Sequence, residues 1–368
     1  MTTILAAGDV AISRQEQLAI LNGCRATLAS ADVCFAQLEA PISARGSKAP
    51  NARLAMRSPV EWAAALRQAG IDVVSCAGNH CLDYGFEALS DTLRLLDRAG
   101  ISRCGAGERL AEALEPAILQ AGKHTVAFIA ASSILPEGYA AQEEKPGCAP
   151  MRAFTAYEPI EPDQPGTPAR IRTFPHAEDL SALVRQISAA RKIAEVVIVS
   201  LHWGIHMIPF ALAEYQIATA RSLIDAGADA ILGHHPHILK GVELYRNRPI
   251  FYSLGNFAIG QPHEWDPTIL RAPSFRHLIE LHPEWDLTRQ YMLPENTRYT
   301  GLAKLVIKRG GDVECRFRPA WIGDSSEPNM LSANDPKFHV VREFLAESNR
   351  MAGLASRVDQ DADELIFS

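Results

Sequence analysis

The most constraining feature of this chain is that half of its histidines lie directly after apolar, β-branched segments. Six of the twelve histidines follow three such segments, residues 72–77, 196–201 and 228–232. A fourth segment, residues 3–7, is followed after one glycine by Asp9. In an open α/β sheet, ligands bind beyond the carboxyl ends of the strands. Imidazole, carboxylate and carboxamide groups that meet there have the composition of a metal site, so the pattern predicts an enzyme.

The composition is that of a globular protein with a full core. The chain has 368 residues, of which 47% are hydrophobic and 21% charged, and its formal net charge is −7. These values are typical of soluble domains. The lysines and arginines are dispersed, which argues against binding nucleic acid through a basic face. Seven cysteines without a CxxC pair predict buried free thiols in a reducing compartment rather than disulfides.

The sequence predicts no membrane anchor. It begins almost directly with the strand-like residues 3–7 and shows neither a basic stretch nor an apolar signal region. No apolar run approaches the ~20 residues that a membrane-spanning helix needs. We therefore expect a cytoplasmic protein, and the oligomeric state stays open.

Strand-like runs alternate with amphipathic patterns that commonly end at a glycine. Helices are predicted over residues 15–31, 59–69, 84–99, 176–193, 214–226 and 336–351. Further strands are predicted over residues 33–38, 303–308 and 313–317, the last two joined through Gly310 and Gly311 as a hairpin. The alternation predicts a layered α/β fold with central sheets flanked by helices.

We expect residues 1–330 to form one domain, and residues 331–368 to add a helix and a loose acidic tail. Residues 136–175 are rich in proline, glycine and glutamate, and residues 261–300 have no clean period. Long irregular segments in a compact domain are usually functional loops or disordered inserts. We favour the interpretation that both segments are partial lids.

Six short motifs occur in the order seen in one protein family. They are Gly8-Asp9-Val10, Gln37-Leu38-Glu39, Gly78-Asn79-His80 with Leu82-Asp83-Tyr84-Gly85, Leu201-His202-Trp203-Gly204, Gly233-His234-His235-Pro236-His237 and Tyr252-Ser253-Leu254-Gly255-Asn256-Phe257. The chain thereby resembles the CapA/PgsA proteins, which are named for poly-γ-glutamate capsule synthesis. The resemblance covers roughly residues 4–260 and the hairpin. It implies a calcineurin-like metallophosphoesterase sandwich, a fold that hosts several chemistries.

The resemblance implies roles for the side chains at the first three strand ends. Asp9 would be a metal-binding carboxylate, and Glu39 would be a second one, able to bridge two ions. Asn79 would supply a carboxamide oxygen as a metal ligand and would take part in catalysis. His80 would act as a general acid or orient the substrate.

Imidazoles after two later strands would complete the site. By resemblance, His202, His235 and His237 would be metal ligands. The residues alone favour metal binding by at least two of His234, His235 and His237, because this segment is too polar for a core without partners. They do not decide which two. The His-x-His spacing favours His235 and His237, and His234 is then a candidate catalytic residue. His206 fits a solvated turn and a substrate contact equally well.

Such a mixed nitrogen and oxygen site suits divalent transition metals, namely one or two ions of Zn, Mn or Fe. Ser253 and Asn256 are expected to shape the floor of the pocket. Five other basic side chains are expected at the surface: Arg57, Lys240, His263, His277 and His282.

Two positions depart from the metallophosphoesterase pattern. Proteins of that fold normally open with an Asp-x-His pair, whereas Asp9 is followed at that spacing by Ala11. Their second carboxylate is normally an aspartate in a Gly-Asp motif, whereas this chain has Glu39 after Gln37. One nitrogen ligand is missing and one carboxylate arm is longer. The site is therefore expected to bind a second ion weakly, or to catalyse something other than phosphate-ester hydrolysis.

Three functions are compatible with these motifs. The first is a metal-dependent hydrolase that cleaves an amide, ester or phosphoester of a small carboxylated or peptidic substrate with metal-activated water. The second is an epimerase, in which the metal polarises a carboxylate or amide while two bases exchange the Cα proton. The third is a non-catalytic subunit of capsule-polymer assembly. We favour the hydrolase, with a small-molecule or peptide substrate and no nucleic-acid partner.

Overall fold

The computed structural model describes residues 1–52, 54–261, 267–308 and 312–368. The strands in these residues are β1 Thr2–Ala11, β2 Val33–Leu38, β3 Val73–Ser75, β4 Ser102–Cys104, β5 Ala106–Gly107, β6 Ala117–Ala121, β7 His124–Ser132, β8 Gly147–Cys148, β9 Ala153–Pro159, β10 Ala169–Pro175, β11 Val196–His202, β12 Ala230–His234, β13 Val242–Tyr245, β14 Arg248–Phe251, β15 Asn256–Ile259, β16 Tyr299–Ile307, β17 Val313–Ile322, β18 Pro328–Met330, β19 Val358–Asp361 and β20 Glu364–Phe367. The α-helices are α1 Arg25–Leu28, α2 Trp62–Ala69, α3 Gly85–Ala99, α4 Leu110–Ala113, α5 Ala177–Ala190, α6 Glu214–Asp225, α7 Pro267–Leu270, α8 Pro273–Leu281 and α9 Pro336–Met351.

The larger sheet is built around β1. Strands β1, β2, β3 and β4 are mutually parallel neighbours. On the other side of β1, β16 pairs antiparallel with it, and β17, β20 and β19 extend the sheet. The short β15 pairs in parallel with the last residues of β1, so that Asp9 lies beside Asn256. The end of β1 is thus enclosed by strands on both sides.

The smaller sheet has the strand order β13-β14-β12-β11-β7-β6. Its four central strands, β14, β12, β11 and β7, run parallel. The register places His202, at the end of β11, beside His234, at the end of β12. His202, a predicted metal ligand, and His234, a predicted catalytic residue, therefore lie side by side where the two strands end.

The two sheets pack face to face, as predicted for a layered α/β sandwich. Phe35 of β2 stacks on Phe128 of β7 with ring centroids 5.6 Å apart. Every residue of β11 is buried, because such central parallel strands are covered on both faces. Leu183 of α5 and Leu223 of α6 belong to the apolar layer that covers the outer face of the smaller sheet.

Most predicted elements are confirmed, but one helix is wrong. Strand 33–38 and helix 336–351 have the predicted bounds. The helix expected over residues 15–31 is instead two 3₁₀ turns, Gln15–Gln17 and Asn22–Cys24, followed by the single turn α1. Asn22 and Gly23 have low helix propensity and interrupt the pattern.

The two irregular inserts and the acidic tail are more ordered than expected. The first insert contains the hairpin of β9 and β10, and the second contains α7 and α8. The prediction of a loose tail is wrong, because β19 and β20 form a hairpin that pairs with β17. Leu365 is buried there, and Lys304 and Arg316 form ion pairs with Glu364. The hairpin of β16 and β17 is confirmed, and its predicted turn, Gly310 and Gly311, lies outside the described residues.

Two expectations from composition can be compared with the structure. All seven cysteines are buried free thiols, as predicted. Among the described helices, none combines the length and the apolar character needed to cross a bilayer.

Candidate metal centre

The predicted site residues meet where parallel strands of both sheets end. Asp9 lies near the end of β1, Glu39 follows β2, and Asn79 follows β3. From the other sheet, His202 ends β11 and His235 follows β12. One ligand atom from each of Asp9, Glu39 and His202 lies within 4.8 Å of the other two. Side chains that are up to 193 positions apart in sequence thus form one cluster.

Two buried carboxylates form the floor of this cluster. Asp9 is 0% exposed and Glu39 is 1% exposed. Among the described residues, neither side-chain oxygen of Glu39 has a hydrogen-bond partner, and the same holds for Oδ1 of Asp9. Burying a carboxylate without a partner is costly, so such groups normally bind a cation. Their arrangement fits a divalent metal ion.

His202 is oriented toward these carboxylates by Asn79. The Nε2 atom of His202 lies 2.6 Å from Oδ1 of Asn79, and Nδ1 lies 3.8 Å from Oε2 of Glu39. When Nε2–H donates to the carboxamide oxygen, the lone pair of Nδ1 faces Glu39. Asn79 therefore contacts the cluster by fixing an imidazole, and its predicted role as a metal ligand stays a prediction.

His237 lies between the two carboxylates. Its Nδ1 is 3.4 Å from Oδ2 of Asp9 and 2.8 Å from Oδ1 of Asn256, and its Nε2 is 3.8 Å from Oε1 of Glu39. Asn256 is fully buried, and its carboxamide oxygen contacts the ring of His237 at Nδ1. Its expected place in a pocket floor stays a prediction.

His234 and His235 approach Asp9 in different ways. The backbone N–H of His235 donates to Oδ2 of Asp9 at 3.3 Å, and its ring lies 5.0 Å from that of His202. His234 is 0% exposed, with Nδ1 at 3.5 Å from Oδ1 of Asp9. This burial favours a supporting role for His234, and its predicted part in catalysis stays untested. His235 and His237 have φ values of 92° and 58°, so this turn carries the two predicted ligands on a strained backbone.

His80 lies near the same oxygen of Glu39 as His237. Its Nδ1 lies 2.6 Å from Oδ2 of Asp83, and its Nε2 lies 3.8 Å from Oε1 of Glu39. Asp83 also accepts hydrogen bonds from the backbone N–H of Met56 at 2.7 Å and from the hydroxyl of Tyr139 at 3.0 Å. Three donors thus fix Asp83, which in turn orients Nε2 of His80 toward the cluster.

Burial and the neighbouring charges shift the pKa values of the carboxylates and imidazoles of the cluster. Burial, and then the charges of Asp9 and Asp83, raise the pKa of Glu39 well above its usual value. Burial also lowers the pKa of His202 and of His235 well below the usual value for histidine. For Asp9, burial acts to raise the pKa, but the neighbouring imidazoles outweigh it and the pKa is lowered. Without a cation the site therefore favours neutral imidazoles with free lone pairs beside an ionised Asp9, whereas Glu39 keeps its proton to higher pH than usual. A metal ion that binds there would displace that proton.

The structure corrects the predicted positions of two basic residues, Lys240 and His282, and decides between the two interpretations of His206. Lys240 and His282 are 1% and 3% exposed, so the surface positions predicted for them are wrong. The ring of His206 stacks on that of His235, which is a position within the site rather than a solvated turn. His277 is exposed as predicted, with 64% of its side chain accessible, and His263 lies outside the described residues.

Tyr139 also contributes to the site through its hydrogen bond to Asp83, and sequence analysis missed it. It lies in the first insert, without a motif or period around it.

Arg57, which was predicted at the surface, is half-buried, with its guanidinium 4.1 Å above the ring of Tyr84.

Comparison with known proteins agrees with the resemblance to the CapA proteins. A family model described as "Bacterial capsule synthesis protein PGA_cap" matches residues 3–261. A probable polyglutamine synthesis accessory protein of Mycobacterium tuberculosis is 33% identical over 245 residues, which are 66% of this chain and 58% of that protein. The PGA biosynthesis protein CapA of Bacillus subtilis is 29% identical over 241 residues, which are 63% of this chain and 54% of that protein. The chain thus spans little more than half the length of these relatives.

Among solved structures, similar chains include the calcineurin-like phosphoesterase YfkN from Bacillus subtilis. It is 12% identical, and the match covers 95% of this chain and 97% of that chain with a TM-score of 0.41. A putative 5'-nucleotidase from Staphylococcus aureus is also 12% identical, with a TM-score of 0.45. The family model covers well over half of the sequence and includes every residue of the cluster, so the chain belongs to the family of bacterial capsule synthesis proteins PGA_cap.

Proposed function

We propose that this chain is a metal-dependent hydrolase that cleaves an amide, ester or phosphoester bond of a small carboxylated or peptidic substrate. The observation that carries the proposal is the pair of buried carboxylates, Asp9 and Glu39. Three of their four oxygens have no hydrogen-bond partner among the described residues and lie near imidazoles. A structural ion pair would satisfy these oxygens, whereas a metal centre needs carboxylate oxygens and imidazole nitrogens that are free to bind an ion.

The residues that would hold the ion are Asp9, Glu39, His202, His235 and His237. Two carboxylates with three imidazoles suit Zn, Mn or Fe better than Ca. When bound, a divalent ion there supplies a Lewis acid and lowers the pKa of a bound water.

The chain's own residues supply orientation and a proton. His80 donates Nδ1–H to Asp83, and its Nε2 faces the cluster, where it can hold a proton for a leaving group. Asn79 and Asn256 keep His202 and His237 from turning away. These contacts give a preorganised site.

The departures from the phosphoesterase pattern favour amide or ester substrates over simple phosphate esters. Ala11 occupies the position where an imidazole is expected, and it is buried against Ala40 and Ile259. The relatives are named for the synthesis of PGA or polyglutamine. An amide-linked polymer of amino acids, or a fragment of one, is therefore the first substrate to test.

The test has two parts. The purified full chain should contain stoichiometric transition metal by elemental analysis, and the metal-loaded protein should release free amino groups from glutamate oligomers. His80→Ala should retain the metal and lose turnover, whereas His277→Ala, at an exposed position, should retain both. Protein that takes up no metal would contradict the proposal. Metal-loaded protein that turns over no amide, ester or phosphoester would indicate an accessory role instead.

A further inference from the structure

The loop between β11 and α6 carries a histidine into the cluster. The ring of His206 lies 5.4 Å from that of His235 at an interplanar angle of 30°, and 5.2 Å from that of His237 at 82°. It therefore covers two of the imidazoles assigned above to the metal. A ring that stacks on one neighbour and meets the other at nearly a right angle limits how far both neighbours can turn.

The backbone of Met207, the residue after His206, is fixed by hydrogen bonds at both its N–H and its carbonyl oxygen. The N–H of Met207 donates to the carbonyl oxygen of Pro236 at 3.0 Å. The carbonyl oxygen of Met207 accepts a hydrogen bond from Nε2 of His282 at 2.8 Å. Met207 has a φ of 50°, an unfavourable conformation for a residue with a side chain. Such a conformation persists only where surrounding contacts determine it.

Lys240 holds the next part of the same loop. Its side chain is 1% exposed, and its Nζ donates to the carbonyl oxygens of Ile208 and Ala211, the latter at 3.0 Å. Phe210, between these two carbonyls, has a φ of 63°. Lys240 lies three positions after His237, so one short segment provides both a proposed ligand and the anchor of the loop that covers it.

We propose that His206 and Lys240 are positioning residues of the metal centre. Lys240 holds the loop of residues 204–211, and the loop keeps His206 packed against His235 and His237 so that both rings stay turned toward the ion. This inference rests on the proposed function, because it requires that the cluster binds a metal. Partners that orient metal-binding histidines typically contribute about 10–100-fold in metal affinity.

Two substitutions of His206 separate positioning from direct ligation. His206→Ala removes the packing and should lower the affinity for Mn²⁺ or Zn²⁺ by about 10–100-fold. His206→Phe restores a planar ring without a nitrogen and should recover most of that loss. If Phe were as poor as Ala, the nitrogen of His206 would itself be needed, and the positioning role would be overturned.

Lys240→Met tests the anchor. Methionine has a similar length but no donor, so the loop loses both hydrogen bonds and the affinity should fall as in His206→Ala. In the double variant the two losses should not add, because both act through the same ring. Should Lys240→Met fail to fold, Lys240→Gln keeps one donor and should show a smaller loss. Lys304→Met, which breaks the ion pair with Glu364 in the larger sheet, is the matched control and should bind as the unaltered protein.

The measurement is a metal titration of the full chain after chelation, with thermal unfolding of each metal-free variant as a check on folding. Unchanged affinity in His206→Ala, or additive losses in the double variant, would overturn the inference while leaving the proposed function intact. Absence of metal binding in the unaltered protein would overturn both.

Discussion

The two sheets contribute different chemistry to the same site. The larger sheet provides the oxygen groups, with Asp9, Glu39 and Asn79 after three neighbouring parallel strands. The smaller sheet provides the imidazoles, His202 and His235 among them, after β11 and β12. Carboxylates suit Mn²⁺ and Mg²⁺, whereas imidazoles suit Zn²⁺ and Cu²⁺. The sandwich brings these two groups of side chains together in one mixed cluster. They are called here the oxygen edge (Asp9, Glu39 and Asn79) and the imidazole edge (His202, His235 and His237).

The two edges are also held in different ways. The backbone N–H groups of Asp9 and Glu39 donate to the carbonyl oxygens of Gly255 and Val10, both at 3.0 Å. Both carboxylates are therefore carried by backbone that is hydrogen-bonded to a neighbouring segment of the larger sheet. His235 and His237 instead lie in a turn with positive φ and depend on side chains around them. The oxygen edge is thus fixed by backbone, and the imidazole edge by packing and by anchors such as Lys240.

The largest expected effect is on metal selectivity, and it tests the division between the edges. Asp9→Asn should weaken Mn²⁺ binding by at least about 100-fold, more than the loss of a ligand's partner would cause, and should weaken Zn²⁺ binding less. His235→Ala should show the reverse order. Competitive titrations with the two metals measure both. Asp97→Asn, which loses a surface ion pair with Arg103, is the control. Equal losses for both metals in both variants would refute the division.

The next effect is on the pH dependence of folding and concerns the anchor of the imidazole edge. Burial lowers the pKa of Lys240 to about 7, whereas an unfolded lysine titrates near 10.4. Between these values the unfolded chain holds a proton that the folded protein lacks, so the free energy of unfolding rises with pH. Lys240→Met lacks this contribution.

The free energy of unfolding of the unaltered protein should therefore increase, relative to that of Lys240→Met, by roughly 2–4 kcal/mol as the pH rises from 7 to 10. Below pH 7 the difference should level off, because lysine is then protonated in both states. Urea unfolding of the metal-free proteins at several pH values measures it, and a difference that does not vary with pH would show that Lys240 is not held in a low-dielectric environment.

The sequence was sufficient to predict the oxygen edge and much of the imidazole edge. Asp9, His202 and His235 each lie within three positions of the end of an apolar run, and such a run predicts both the strand and the place where it ends. The strand at residues 33–38 and the helix at 336–351 were predictable for the same reason, since their signals are local. The interpretation of a layered α/β fold needed only this alternation.

What holds the imidazole edge could not be predicted, because it depends on contacts between distant segments. Lys240 has the composition of a surface residue, and only the fold places its amine under carbonyl oxygens 29 and 32 positions earlier. His282 and Tyr139 belong to inserts without periodicity, so nothing local indicates their burial. The acidic tail was misjudged in a similar way, since the cations that pair with it, Lys304 and Arg316, lie in strands far along the chain.

A smaller effect concerns the oxygen edge in the absence of metal. Glu39→Gln should raise the free energy of unfolding of the metal-free protein by about 1–3 kcal/mol, because it removes a buried carboxyl group that lacks a partner. With saturating Mn²⁺ the order should reverse, since the unaltered protein gains stability from the bound ion. Urea unfolding with chelator and with metal measures both. A variant that is less stable under both conditions would mean that Glu39 has a structural partner and not a cation.

The smallest effect is expected at Tyr139, which reaches Glu39 only through Asp83 and His80. Tyr139→Phe removes one of the three donors that fix Asp83 and should slow turnover by up to about tenfold, in line with the ~1 kcal/mol of a typical hydrogen bond. Metal content should not change, because neither residue faces the ion. Tyr252→Phe removes a comparable buried hydrogen bond, from the hydroxyl to Glu243 at 2.6 Å, and should leave turnover unaffected. If Tyr139→Phe lowered the metal content, Asp83 and His80 would have to be counted among the groups that bind the ion, and the oxygen edge would include an imidazole of its own.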